Sequence, residues 1–240
     1  MRRLLSVSAL GVPSRSLDFK TTGGEYLSIS DAAAGGFNKD KCSWSTWFKR
    51  ATLGAATEII FAQNDNSSPI AGAYQISFNS ANALDFRVSD GTTALHGRLI
   101  TTATYTNTTT WKHLQVIWDR NNGTANSRMR IFINGTEETS FSSRTNPTNA
   151  MNDSAHTVTI GATANNANHN TGLLYQPAMF SNVIPASTSL INGSNPKDLR
   201  KISGLHYLLH TNSVDALEDD FVLGTNWTNN VGVIKSTDIP

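Results

Sequence analysis

Covalent staples are almost absent from this chain. Of its 240 residues only Cys42 is a cysteine, so no intrachain disulfide and no cysteine-based zinc site can form. Charge is scarce as well: 15% of the residues are Asp, Glu, Lys or Arg, and 19 basic side chains against 18 acidic ones leave a formal charge of +1. No overall field of that size draws the protein to nucleic acid or to an anionic membrane, and any partner must be chosen locally. A run of about 18 apolar residues is also missing, which leaves no membrane-spanning helix. There is no internal repeat and no low-complexity linker to mark a domain boundary. A sandwich of this length commonly folds as one domain, so residues 15–240 read as a single unit.

Motifs that carry catalysis are missing too. No Gly-x-Ser-x-Gly elbow occurs. Gly23-Gly24 and Gly35-Gly36 open no helix, so neither is a phosphate loop. The six histidines are scattered. His206 and His210 have the i, i+4 spacing of a zinc protease site but fall on an apparent strand, where that spacing has no such meaning.

What the chain does contain is alternation with a period of two, from end to end, separated by Gly and Asn clusters. Cys42, Trp44, Thr46 and Phe48 fall on one face of a strand, with Ser43, Ser45, Trp47 and Lys49 on the other. Tyr74, Ile76 and Phe78 face Leu84, Phe86 and Val88 across a turn at Asn79–Asn82. In Trp111-Lys-His-Leu-Gln-Val-Ile-Trp-Asp119 and Arg128-Met-Arg-Ile-Phe-Ile-Asn-Gly-Thr136, Leu114, Val116 and Trp118 point inward opposite Met129, Ile131 and Ile133. Lys112, Arg128 and Arg130 reach water, and His113 lies on the face away from Leu114 as a structural residue. Asn134-Gly135 accepts the positive backbone angles of a tight hairpin turn. Ser16–Lys20 and Tyr26–Ser30 are short strands near a sheet edge. Pro177, inside the strand from Leu173 to Ile184, removes a backbone donor and calls for an edge or a bulge. Only near the C-terminus does the texture change: Pro196–Ile202 reads as one short helix capped by Asn195. The fold class is therefore an all-β antiparallel sandwich.

The order of these motifs resembles the laminin G-like, concanavalin A-like jelly-roll superfamily. Leu17-Asp-Phe-Lys20 with Tyr26-Leu-Ser-Ile29 resembles its opening strands. Trp44-Ser-Thr-Trp-Phe-Lys49 is similar to its first long core strand, and the segments at 111–119 and 130–136 to its central strand and closing hairpin. The match runs over roughly residues 16 to 185. Asn192–Leu199, Leu205–Leu209, Trp227–Asn230 and Ser236–Pro240 look like the ending of laminin G-like structural proteins of tailed bacteriophages. That resemblance implies a non-enzymatic virion protein, such as a capsid decoration, head-fibre or tail-associated module. It would be assembled in the host cytoplasm, exposed on the particle and held by contacts with other virion proteins and with copies of itself. The start, Met1-Arg-Arg-Leu-Leu-Ser-Val-Ser-Ala-Leu-Gly-Val12, mimics a secretory signal, but its apolar stretch is at the short limit for one. Residues 1–14 are read instead as a docking arm.

The alternative is a carbohydrate-binding, lectin-like module for host or environmental glycans. Sugar binding needs an aromatic ring to stack on a pyranose and amides for its hydroxyls. Trp47 is the aromatic candidate, unless a neighbouring layer or a partner subunit buries it, and the loop with Asn165, Asn166 and His169 supplies the polar ones. Relatives that hydrolyse glucans carry alternating acids, Glu-x-Asp-x-x-Glu or a close variant. Nothing here matches: Glu137 and Glu138 are adjacent and point to opposite faces, and Glu218-Asp219-Asp220 sits in a turn. No cofactor is required. Laminin G-like relatives often hold a rim calcium, for which Asp65 with Asn64 and Asn66, or Asp219 with Asp220, are the candidates, although solvated turns explain them as well.

Overall fold

The computed structural model describes residues 16–19, 24–30, 36–54, 56–63, 73–91, 95–152, 157–209, 227–230 and 233–240. Its strands, in chain order, begin with β1 (Ser16–Asp18), β2 (Tyr26–Ile29), β3 (Lys41–Lys49), β4 (Glu58–Gln63), β5 (Tyr74–Phe78) and β6 (Ala83–Ser89). They continue with β7 (Leu95–Thr104), β8 (Lys112–Asp119), β9 (Met129–Ile133), β10 (Thr136–Glu137), β11 (Phe141–Thr145) and β12 (Val158–Ile160). The last six are β13 (Leu173–Ser181), β14 (Ile191–Asn192), β15 (Asn195–Pro196), β16 (Leu205–Leu208), β17 (Thr228–Asn230) and β18 (Ile234–Ser236). One sheet runs β10-β9-β8-β3-β13-β1-β18, with β16 also paired to β13, and the other runs β11-β7-β6-β5-β4-β12-β2-β17. The pairings are antiparallel throughout. Below, the first is called the front sheet and the second the back sheet.

Alternation sets the register that was expected of it. Leu114, Val116 and Trp118 face Ile133, Ile131 and Met129 across β8 and β9, while Tyr74, Ile76 and Phe78 face Val88, Phe86 and Leu84. These side chains join Cys42, Trp44 and Phe48 in one core between the sheets. Trp44 lies in this core 4.4 Å from the Tyr74 ring and 5.8 Å from Phe86, so large aromatic side chains of the two sheets interlock. Asn134 and Gly135 have φ of 51° and 81°. Their turn joins β9 to the two-residue β10, at the edge of the front sheet.

Two details differ from the sequence reading, and one choice that it left open, edge or bulge at Pro177, is decided. Pro177 lies in an interior strand, and the missing donor is absorbed by a bulge between Tyr175 and Ala178, with Gln176 at φ 50°. The helix expected over 196–202 is a single 3-10 turn, Leu199–Lys201, capped by the Asp198 side chain, which accepts from the Arg200 N–H. Asn195 and Pro196 form β15 instead, because Asn192 to Asn195 closes a tight hairpin first. Phe141–Thr145 is an edge strand on β7, hidden in the sequence by its run of hydroxyl residues. The docking arm expected over residues 1–14 lies outside the described residues.

The front sheet buries apolar side chains on both of its faces. Ala178 and Phe180, on the side away from the core, pack with Leu190, Leu199 and Leu208, and Trp47 and Tyr175 pack with Ile191. Residues 182–202 therefore cross this outer face as a strap. The Gln115 Nε2 donates to the Pro185 carbonyl at 3.0 Å and the Ser187 hydroxyl to the Gly135 carbonyl at 3.0 Å, which ties the strap to β8 and to the β9–β10 turn. If the strap is held by apolar burial, Leu190→Ala should destabilise the protein by about 2–4 kcal/mol. Urea unfolding monitored by tryptophan fluorescence measures this, and a change below about 0.5 kcal/mol, the usual scatter of surface substitutions, would refute the second core.

Candidate functional site

Outward positions on the front sheet form cross-strand rows. Trp47 pairs with His113, Ser45 with Gln115 and Phe132, Ser43 with Ile117 and Arg130, and Lys41 with Asp119. The strap covers the Trp47 end of this ladder and leaves the Lys41 end open. There, Ile184 to Thr188 wall a groove of about 410 Å³ floored by Ile117, Arg130 and Phe132 and closed by Lys41 and Asp119. That volume is within the range of roughly 300–1,000 Å³ used by small-ligand sites.

Each part of the groove has a local cause. Phe132 faces out because Ile131 and Ile133 face in, and it remains half-buried. The Arg130 guanidinium lies 5.5 Å from the centre of the Phe132 ring, so the ring's π-face is electrostatically satisfied on one side. Lys41 Nζ is 3.4 Å from Asp119 Oδ2, with side chains 41% and 16% exposed, so the carboxylate is oriented but still open to water. An aromatic ring, one carboxyl group and two basic side chains thus line one hollow, and they offer a stacking surface with both hydrogen-bond acceptors and donors beside it.

Two other hollows hold less usable chemistry. One of about 580 Å³ is lined by Asn38, Ser181, Asn182 and His206, but its amides bond each other, Asn38 Nδ2 donating to Asn182 Oδ1 at 2.6 Å. A second, of about 350 Å³, borders Lys49, Arg50 and Thr171. Its Arg50 is committed to the fold: the guanidinium donates to Glu58 Oε1 at 2.6 Å, to Asn82 Oδ1 and to the Tyr105 and Thr52 carbonyls, and lies 4.3 Å from the Phe78 ring centre. Burial pushes the Glu58 carboxyl up while the neighbouring arginine holds it down.

The residues expected to bind sugar are not brought together. Trp47 is 3% exposed, beneath Ile191 and against Tyr175, with its ring edge-on to His113 at 5.3 Å. The strap, an intramolecular layer, takes the face that a sugar would need, and Trp47 is removed as a stacking residue. Asn165 and Asn166 do stay exposed, and His169 is half-buried. Their loop is anchored elsewhere, on β4 of the back sheet, where Ile59 N–H donates to the Asn168 carbonyl and Asn170 Nδ2 to the Ile59 carbonyl. Asn166 and Asn168 take φ of 60° and 57°, the turn conformation asparagine tolerates best. Glu138 accepts from the Tyr105 hydroxyl at 2.9 Å. The calcium candidates Asn64, Asp65, Asn66, Asp219 and Asp220 lie outside the described residues, and among the described residues no group of three or more His, Cys, Asp or Glu is placed to hold a metal ion. Phe132, Asp119 and Lys41 were missed as a site, although strict alternation already puts Phe132 outward beside Arg130.

A family model for the concanavalin A-like lectin/glucanases superfamily matches residues 21–188. The chain belongs to that superfamily. No curated protein matches this concanavalin A-like chain in sequence. Several solved structures match it in fold. A candidate carbohydrate binding protein from Bacteroides ovatus superposes with a TM-score of 0.68 at 12% identity, covering 94% of this chain and 60% of its own. The chain thus spans less than two thirds of that protein's length. A native heptameric SAP-like pentraxin from Limulus polyphemus gives 0.54 at 13% identity, over 95% of this chain and 96% of its own. The CBM40 of the Ruminococcus gnavus IT-sialidase gives 0.50 at 10% identity, over 73% and 94%. At these identities the likeness establishes the concanavalin A-like sandwich and no more. None of the three is a phage protein, so the expected likeness to phage structural proteins gains no support from them.

His113 is a strongly shifted titrating group on the strapped face. Its Nε2 is 2.9 Å from the Ser45 hydroxyl, and burial pushes the imidazole down to about 3. The folded protein therefore keeps His113 neutral in acid, whereas the unfolded chain takes up its proton near the ordinary value of about 6.5. The stability this contributes is complete above that pH and is lost as the pH falls from about 6.5 towards 3, by roughly 1.4 kcal/mol per unit. Urea unfolding at about pH 7.5 and pH 5 should show a loss on the order of 2 kcal/mol that His113→Gln removes. Equal pH dependence in the two proteins would refute the assignment.

Proposed function

We propose that this chain is a non-catalytic carbohydrate-binding module and that the groove between β8–β9 and the strap receives the sugar. The observation that carries the reading is the half-exposed Phe132 ring flanked by Arg130 on one side and by the Lys41–Asp119 pair at the groove's end. A pyranose presents one face of C–H groups and a rim of hydroxyls. The C–H face lies on Phe132, neighbouring hydroxyls donate to Asp119, and Arg130 and Lys41 donate to the hydroxyl oxygens. The strap residue Thr188, exposed at the groove wall, adds a hydroxyl that both donates and accepts.

Hydrolysis of a glycosidic bond needs two carboxylates on either side of it, about 5–9.5 Å apart. Asp119 is the one carboxylate among the described residues lining the groove, which supports binding without cleavage. Carbohydrate-binding proteins with the same sandwich, from Bacteroides ovatus and Ruminococcus gnavus, support the same reading at the level of fold.

On a glycan array the protein should retain a defined set of oligosaccharides. Phe132→Ala and Asp119→Asn should each weaken that retention about tenfold or more, as expected for loss of a stacking partner or of a charge-assisted hydrogen bond. Both residues are partly exposed at a groove, so the melting temperature should move little. No retention on the array, or retention unaltered in both variants, would sink the proposal.

A further inference from the structure

The outward face of the back sheet carries a different chemistry. Arg87 on β6 stands directly opposite Arg98 on β7, and Asp85 lies two residues before Arg87 on the same face. Like charges directly opposite one another across strands repel, so this pair needs a reason. Part of the reason is Asp85. Its carboxylate is fully buried, and both guanidiniums close on it: Arg87 through Nε at 2.9 Å and Nη2 at 2.5 Å to Oδ2, Arg98 through Nε at 3.0 Å to Oδ1 and Nη2 at 2.7 Å to Oδ2.

The charges do not balance. Two guanidiniums share one carboxylate, and the three groups together carry one positive charge. One arginine would suffice to neutralise Asp85. The arginine side chains remain 24% and 30% exposed while Asp85 is out of reach of solvent, so a ligand arriving from outside meets cations only. Among the described residues neither Nη1 group has a partner. Asp85 fixes both forks in place, so a ligand does not have to order two long side chains. Thr145 stands opposite Arg98 and Ser143 opposite Ile100 on the neighbouring edge strand, with Thr145 exposed and Ser143 half-exposed, which puts hydroxyls beside the guanidiniums.

We propose that Arg87 and Arg98 form a second binding site, separate from the Phe132 groove, for the carboxylate of an acidic sugar. A planar carboxylate matches donors held in a planar fork, and the hydroxyls of Ser143 and Thr145 serve the sugar ring that carries it. Asp85 is the positioning residue and makes no contact with the ligand. A free carboxylic acid presents the same anion without the ring, and the test separates the two.

The experiment titrates the full chain carrying Phe132→Ala, so that the groove contributes little, with glucuronate, glucose and acetate. It follows the arginine side-chain N–H signals by NMR and the affinity by calorimetry. Glucuronate should shift the Arg87 and Arg98 signals and bind more tightly than acetate, glucose should leave them in place, and added salt should weaken the binding because the site is exposed. Arg98→Ala should reduce glucuronate affinity about tenfold. The fold is not at risk, since Arg87 still pairs with Asp85. Arg98→Lys keeps the charge, loses the fork and should fall between the two. Glucuronate binding no better than glucose, acetate binding as well as glucuronate, or affinity unchanged in Arg98→Ala would each overturn the proposal. The Arg87 and Arg98 signals report this site and not the groove, which Phe132→Ala weakens in every titration, so failure here leaves the groove reading standing.

Discussion

The structure depends on β3 being buried on both faces. Seven consecutive residues, Cys42 to Phe48, are sequestered from solvent, and a strand of a two-layer sandwich has a second layer against only one of its faces. Its other face needs a cover. Here the cover comes from the same chain, in the form of the strap 182–202, whose Leu190, Ile191 and Leu199 meet Phe180, Trp47 and Ala178. The course of the strap is in turn dictated by polar groups that burial would otherwise strand. Gln115 has no exposure and donates to the Pro185 carbonyl. Ser187 ties the far wall to Gly135. Where the apolar rows end, at Lys41 and Asp119, the strap has nothing left to bury and the groove opens.

This order of causes explains which parts were readable from residues alone. Period-two alternation is a local property, and it correctly assigned Trp44, Leu114, Val116, Trp118 and the Tyr74–Phe86 set to one core. The Asn134-Gly135 turn was readable for the same reason, since the backbone angles belong to the dipeptide. The strap was not readable. Its apolar residues follow neither a helical nor a strand period, because a covering segment obeys the spacing of the surface beneath it. Trp47 shows the consequence: alternation places it correctly outside the main core, but it cannot say that Ile191 will cover it. The edge strand Phe141–Thr145 was hidden by its hydroxyls, which an edge position permits. The proline in β13 was readable as a choice between edge and bulge, and only pairing with both β3 and β1 decides for the bulge.

The two candidate binding faces follow from one compositional fact, a net charge of +1 on a chain with few charges. With so weak an overall field, local arrangement decides what each surface attracts. On the front sheet, Lys41 and Asp119 neutralise one another beside an aromatic ring, a combination suited to a neutral, hydroxyl-rich ligand. On the back sheet, an uncompensated guanidinium beside a buried carboxylate favours an anion. A single glycan chain carrying both neutral and acidic sugars has chemistry for either face. The sheets are back to back, however, so one short oligosaccharide cannot reach both faces.

Among the described residues, the groove does not carry the paired acids that glucanases of this superfamily use. A glucanase needs paired acids on neighbouring outward positions of one strand, so that both reach the same linkage. On β8 those positions are Gln115, Ile117 and Asp119, and on β9 they are Arg130 and Phe132. One acid stands there among an amide, an aliphatic residue, an arginine and a ring. Asp119 is also held by Lys41, whose Nζ lies 3.4 Å from its Oδ2. Its oxygens are thus placed to accept hydrogen bonds from a ligand's hydroxyls. The strap that walls the groove also sets what can fit beside Phe132.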